Sequence, residues 1–139
     1  MDKTNPPKTF GVFKPVGHTV IAYPSDADLQ AAVNLLTEAG FDNSTWVRYT
    51  PAEMKAQVDL ELQTASPLAS FGYELDLVKA HGVLAETGCS FLVVHAPDEA
   101  QAERVAAVAR ATKATAAQHY GTFMIEDVMA LAPGGGSTS

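Results

Sequence analysis

The chain is poor in the residues that redox chemistry and metal capture most often use. Cys89 is the only cysteine among 139 residues, which excludes an intrachain disulfide and a cysteine-based zinc site within one chain. Because Cys89 adjoins the most apolar run of the sequence, we expect a buried structural thiol and not a nucleophile.

Basic residues and long apolar runs are also scarce. The chain has 9 Lys and Arg against 16 Asp and Glu, a formal net charge of −7. Nucleic acids and anionic membranes are bound by clustered Lys and Arg, so we expect neither partner. No stretch approaches the roughly 18 apolar residues of a membrane span, and the N-terminus lacks an apolar core of signal-peptide length. These absences predict a cytoplasmic protein.

Motifs for cofactor binding and nucleophilic catalysis are missing as well. GxSxG, GxGxxG and the P-loop pattern do not occur, and the GGG near the end lacks the Lys-Ser/Thr that phosphate binding requires. We therefore expect no catalytic residues, no cofactor and a non-enzymatic protein.

The chain does contain a repeated unit of strand, helix and strand. The first copy reads HTVIAYP, SDADLQAAVNLLTEAGF and DNSTWVRYTP, and the second reads CSFLVVHAP, DEAQAERVAAVARATKA and AAQHYGTFMIEDV. An offset of 72 residues places Asp98 on Asp26 and Leu92–His95 on Val20–Tyr23. Two such βαβ units predict a ferredoxin-like α+β sandwich, with a four-stranded antiparallel sheet and both helices on one face.

Other segments flank this predicted domain, which we place at residues 18–130. Residues 1–17 are rich in proline and predict an extended arm, whose Phe10 and Phe13 can anchor on the body or on a neighbour. Residues 131–139 are rich in Gly and Ser, which is typical of a flexible tail.

A two-helix insertion is predicted between the copies, at about residues 51–88. Its first helix, PAEMKAQVDLELQTA, has Met54, Val58 and Leu62 on one side, and its second ends at Gly88. The acidic residues of both helices are expected on solvated faces. The apolar stripe of the second helix comprises Leu68, Phe71, Leu75, Val78 and Gly82, and the acids are Asp59, Glu61, Glu74 and Asp76.

The strand FLVV shows no polar alternation, which indicates burial on both faces. Something besides the two repeat helices must then cover the second face of the sheet. The inserted helices or a second subunit can do so. We expect a mixture of the two, and therefore a homo-oligomer.

The predicted sheet defines a candidate ligand-binding site. We expect the first and third strands to be parallel neighbours, so that Tyr23 and His95 end at the same edge, where His119 begins the fourth strand. Helix N-termini there present free N–H groups that suit a small anion, although Asp98 as a cap would occupy them. The candidate site comprises Tyr23, His95, Asp98 and His119, and the candidate metal ligands are His95 and His119.

Two interpretations of His95 and His119 are open at this point. They are metal ligands or acid–base groups, or they are strand-end histidines hydrogen-bonded to loop carbonyls. His18 begins the first strand and is expected at the opposite edge. His81 falls in the inserted region and is expected at the surface or in an interface.

The first copy also resembles a bacterial family. The segment TVIAYPSDADLQAAVNLLTEAGFDNSTWVRYT, residues 19–50, is similar to the strand, acidic cap, helix, AGF and strand of the heat-induced and general-stress proteins related to YflT. The resemblance implies a stress-linked, non-catalytic role and transfers no catalytic residues. The matched positions are Asp26, Leu29, Val33, Leu36, Ala39, Gly40 and Phe41.

Three functions agree with these observations. The leading hypothesis is a non-enzymatic, oligomeric protein of the bacterial cytoplasm that binds a protein partner or a small ligand. The second is a metal-binding protein or a small-molecule enzyme that uses the edge with Tyr23, His95 and His119. The third is a structural protein that self-assembles through the arm and the inserted helices.

Overall fold

The computed structural model describes residues 8–9, 12–13, 15–64, 73–122 and 124–129. Within these residues the chain forms four α-helices and a five-stranded antiparallel sheet, an α+β arrangement. The helices are α1 (Asp26–Glu38), α2 (Pro51–Thr64), α3 (Tyr73–Glu86) and α4 (Glu99–Ala111). The strands are β1 (Lys8–Thr9), β2 (Val12–Phe13), β3 (His18–Tyr23), β4 (Trp46–Tyr49), β5 (Ser90–His95), β6 (Ala116–Tyr120) and β7 (Ile125–Asp127), and a 3-10 turn at Asn43–Thr45 precedes β4.

The two copies of the repeat are interleaved in the sheet, whose strand order is β4-β5-β3-β6-β7. Each copy crosses over one strand position, so a strand of the other copy lies between its two strands and runs the opposite way. Strands β3 and β5 therefore pair antiparallel, with His18 opposite His95 and Tyr23 opposite Ser90. The expectation that the first and third strands run parallel is wrong for this reason.

The last predicted strand is divided in two, so the sheet has five strands where four were expected. Strands β6 and β7 pair antiparallel, with Tyr120 opposite Ile125. The turn between them is closed by a hydrogen bond from Gly121 N to Met124 O at 2.9 Å. Apolar residues on both sides of the turn made the segment resemble one strand in the sequence.

Helices cover both faces of the sheet. One face, here called the repeat face, packs Ile21, Tyr23 and Leu92 against α1 and α4. The other, here called the insertion face, packs Val20 and Phe91 against α2 and α3. Successive side chains of a strand point to opposite faces, which explains why the middle of these strands, Val20–Ala22 and Phe91–Val94, shows no polar alternation. Both repeat helices thus lie on one face, and of the two covers expected for the other face the inserted helices are found there.

Local signals in the sequence determine where the helices begin and end. The Ser25 side chain accepts a hydrogen bond from Asp28 N at 3.1 Å and caps α1. Gly40 and Gly88 follow α1 and α3 with φ angles of 93° and 97°, values that glycine adopts without the strain of a side chain.

Two side chains of α2 lie on faces other than those expected from the sequence. Glu61 has no exposed surface, whereas Leu62 is 45% exposed. Met54, Val58 and Glu61 continue a spacing of four and three residues that keeps one face of a helix toward the core. The buried Glu61 side chain accepts a hydrogen bond from Gln57 Nε2 at 2.7 Å, which gives one of its oxygens a partner.

Several other side chains in and after the insertion lie where the sequence predicts them. Leu75 and Val78 are buried as predicted, and Asp59 and Asp76 are exposed as predicted. Cys89 is 4% exposed, which confirms a buried thiol. The side chains of Leu68, Phe71 and Glu74 lie outside the described residues.

Two short strands lie within the predicted arm. Strands β1 and β2 pair antiparallel, and β2 lies against α3. The chain then reaches the sheet through Gly17, whose N–H donates to Tyr120 O at 2.7 Å and whose carbonyl accepts from Ala96 N at 2.8 Å. Phe10 and residues 131–139, the predicted tail, lie outside the described part of the chain. No helix in the described part combines the length and the apolar character needed to cross a bilayer.

Gly82 lies at the close approach of α2 and α3. A Cβ atom at position 82 would lie 2.9 Å from Val58 Cγ1, and valine in a helix has little rotamer freedom with which to move away. We expect Gly82→Ala to lower the free energy of unfolding by about 1–2 kcal/mol, because overpacking outweighs the gain in helix propensity. Urea unfolding followed by circular dichroism measures the change.

The control is the same substitution in a Val58→Ala background, where the obstructing methyl groups are gone. There Gly82→Ala should be neutral, or stabilising by up to about 1 kcal/mol from helix propensity. An equal loss in both backgrounds would contradict the assignment of Val58 as the limiting contact.

Candidate functional site

Three histidines lie at one end of the sheet, where β3 begins and β5 and β6 end. His18 is opposite His95 on one side of β3, and its neighbour Thr19 is opposite His119 on the other. The one-residue offset matters because adjacent residues of a strand point to opposite faces. His18 and His95 thus belong to the insertion face, and His119 belongs to the repeat face.

The predicted common site of His95 and His119 does not form. His95 lines a cavity with Val47 and Val93, whereas His119 lines a separate groove beside α4 and β7. The body of the sheet lies between these two surfaces. The sequence placed His95 correctly at the end of a strand, whereas His119, expected to begin the fourth strand, lies near the end of β6. The register that sends the two side chains to opposite faces was not evident from the sequence.

Tyr23 is at the other end of β3 and is part of the core. Its side chain has no exposed surface, and its hydroxyl lies 2.9 Å from Thr112 Oγ1. Burial raises the pKa of Tyr23 to about 12. The prediction that Tyr23 meets His95 is wrong because β3 and β5 are antiparallel.

Asp98 caps α4, and its carboxylate is engaged in that cap. Asp98 Oδ1 accepts from Gln101 N at 2.8 Å, and Gln101 Oε1 accepts from Asp98 N at 3.4 Å, which is a capping box. The cap occupies N–H groups that an anion would use. Moreover, α1 begins after Tyr23, at the opposite end of the sheet, so the two helix N-termini do not converge as expected.

The groove at His119 is lined by three glutamates and by the guanidinium group of Arg110. Thr19 Oγ1 lies 2.8 Å from His119 Nδ1, and burial lowers the pKa of His119, although Glu126 opposes this shift. Arg110 lines the same groove, where it donates to Val128 O at 3.1 Å and contacts Glu103 at 3.3 Å. The groove encloses about 230 Å³, and its other charged lining residues are Glu99 and Glu126.

The cavity at His18, here called the His18 cavity, is smaller than the groove at His119. It has a volume of about 110 Å³ and lies between the ends of β3 and β5 and the 3-10 turn before β4. Asp42 fixes that turn by accepting from Ser44 N at 2.6 Å. The lining residues are His18, Ser44, Thr45, Val47, Val93 and His95.

His18 is held in one tautomer. Its Nδ1 lies 3.0 Å from the carbonyl oxygen of Val16, and because a carbonyl only accepts, Nδ1 must donate. Burial lowers the pKa of His18, and the nearby His95 lowers it further, against the effect of the Val16 hydrogen bond. The ring is therefore neutral near pH 7, with its lone pair on Nε2.

The Nε2 atom of His18 is buried, and no group in the described part of the chain bonds to it. The His18 side chain is only 8% exposed. The ring of His95, which is itself exposed, lies 4.8 Å away between centroids and is tilted by 39°. The cavity is thus lined by two imidazoles, one of which carries a buried nitrogen without a partner in the described part of the chain.

Sequence reasoning missed both His18 and His81. His18 was expected at the opposite edge, and the antiparallel order of interleaved repeats was the signal that would have placed it beside His95. His81 was expected at the surface or an interface but is 2% exposed, 3.3 Å from Gln118 Oε1 and edge-on to Phe91. It continues the buried spacing of Val78 on α3, three residues before it.

No group of three or more His, Cys, Asp and Glu side chains within the described residues is arranged to hold a metal ion. Comparison with protein-family models, with curated proteins and with solved structures produced no match to this chain. Its function is accordingly argued from the His18 cavity.

Buried His81 should make the protein sensitive to acid. Burial lowers its pKa to about 4 from the ordinary value of 6.5, so the unfolded chain binds the proton more readily and stability falls as the pH falls from about 6.5 toward 4. From pH 7 to pH 5 we expect His81 to account for a loss of about 2 kcal/mol. Chemical denaturation at each pH measures it.

The control is His81→Gln, which keeps a hydrogen-bonding group for Gln118 but cannot titrate. The acid dependence of the variant should be shallower by about 2 kcal/mol over the same interval. Identical slopes for the two proteins would show that His81 is not buried as a neutral ring.

Proposed function

We propose that this chain is a non-enzymatic protein that binds a small ligand in the His18 cavity. The observation that carries the proposal is the buried Nε2 of His18, which no described group satisfies. A buried polar atom without a partner costs about 1–3 kcal/mol. A ligand that reached this nitrogen would recover that free energy, and this would favour binding of the ligand in the cavity.

The hydroxyl groups of the cavity favour binding over nucleophilic catalysis. Thr45 Oγ1 donates to Asp42 O at 2.6 Å, and the Ser44 side chain bonds to the Asp42 carboxylate. A serine or threonine nucleophile would instead be hydrogen-bonded to a histidine base. Both hydroxyls serve the turn that forms the wall of the cavity.

For the fold, we propose a ferredoxin-like sandwich extended by β7 and by the inserted helices. The order β4-β5-β3-β6 and the shared face of α1 and α4 support this. A stress-linked role is supported by the resemblance of residues 19–50 to the general-stress family. A cytoplasmic location is supported by the single cysteine, since disulfides are what oxidising compartments add to small proteins.

Oligomer formation stays a prediction. The inserted helices already cover the second face of the sheet, so a second copy is not needed there. What supports self-association is apolar surface on the outside of the insertion, where Leu60, Leu62 and Val83 are 45–60% exposed. Light scattering of the full chain measures the oligomeric state.

A stability test examines the unpaired nitrogen directly. We expect His18→Phe to be neutral or to raise the free energy of unfolding by up to about 1 kcal/mol, because it removes a buried polar atom while keeping a ring of similar shape. The lost bond to Val16 is partly compensated by water, since Val16 is exposed. Thermal and urea unfolding provide the measurement.

The matched control is His81→Phe, which deprives Gln118 of its partner and should destabilise by about 1–3 kcal/mol. If His18→Phe were as costly as His81→Phe, Nε2 of His18 would have a partner within the protein, and the basis of the proposal would be lost.

Binding itself is tested by nuclear magnetic resonance of the histidine ring protons. A library of small anions, amines, neutral metabolite-sized compounds and metal salts is added to the full chain. A ligand of the His18 cavity should shift the signals of His18 and His95 and leave His119, on the opposite face, unchanged. If no compound perturbs the first two signals selectively, the proposed binding role is refuted.

A further inference from the structure

We draw no further inference here: the strongest candidate, the groove between α4 and β7 at His119, is a cluster of glutamates beside an arginine that is already paired with Glu103, and no second feature in the described part of the chain points to a ligand that it would bind.

Discussion

The antiparallel pairing of β3 with β5 is the constraint on which the rest of the structure depends. These two strands form the centre of the sheet, and each brings one copy of the repeat beside the other. All six residues of β3 are buried, as are five of the six in β5. Because neither strand has a polar face, the pair is stable only when helices cover both sides. The same register also decides which side chains meet at the ends of the strands.

The insertion follows from this constraint. Helices α1 and α4 come from the repeats and can cover only one face, so α2 and α3 are what removes the apolar residues of the insertion face from water. Gly82 lets α3 approach Val58 of α2 closely. His81 and Gln118 are polar residues buried in this layer, and they are tolerated because they bond to each other at 3.3 Å.

The candidate site shows how much depends on register. His18 and His95 face each other across β3 and β5, whereas His119, opposite Thr19, is displaced by one residue and therefore lies on the other side of the sheet. A lone pair that is buried at His18 beside a second imidazole is a feature of three-dimensional packing. The spacing of residues along the chain does not predict this contact, because His18 and His95 belong to different copies of the repeat.

The sequence by itself determined the local elements: two repeat copies, an inserted helix pair, the cap at Asp98 and the glycine stop at Gly88. These elements depend on the periodicity of apolar residues and on backbone geometry within a few residues, both of which can be read from the local sequence. Only the tertiary structure decided that Tyr23 is core, that Glu61 and His81 are buried, and that His18 meets His95. Those outcomes depend on strand order and register, which arise from contacts between residues far apart in the chain.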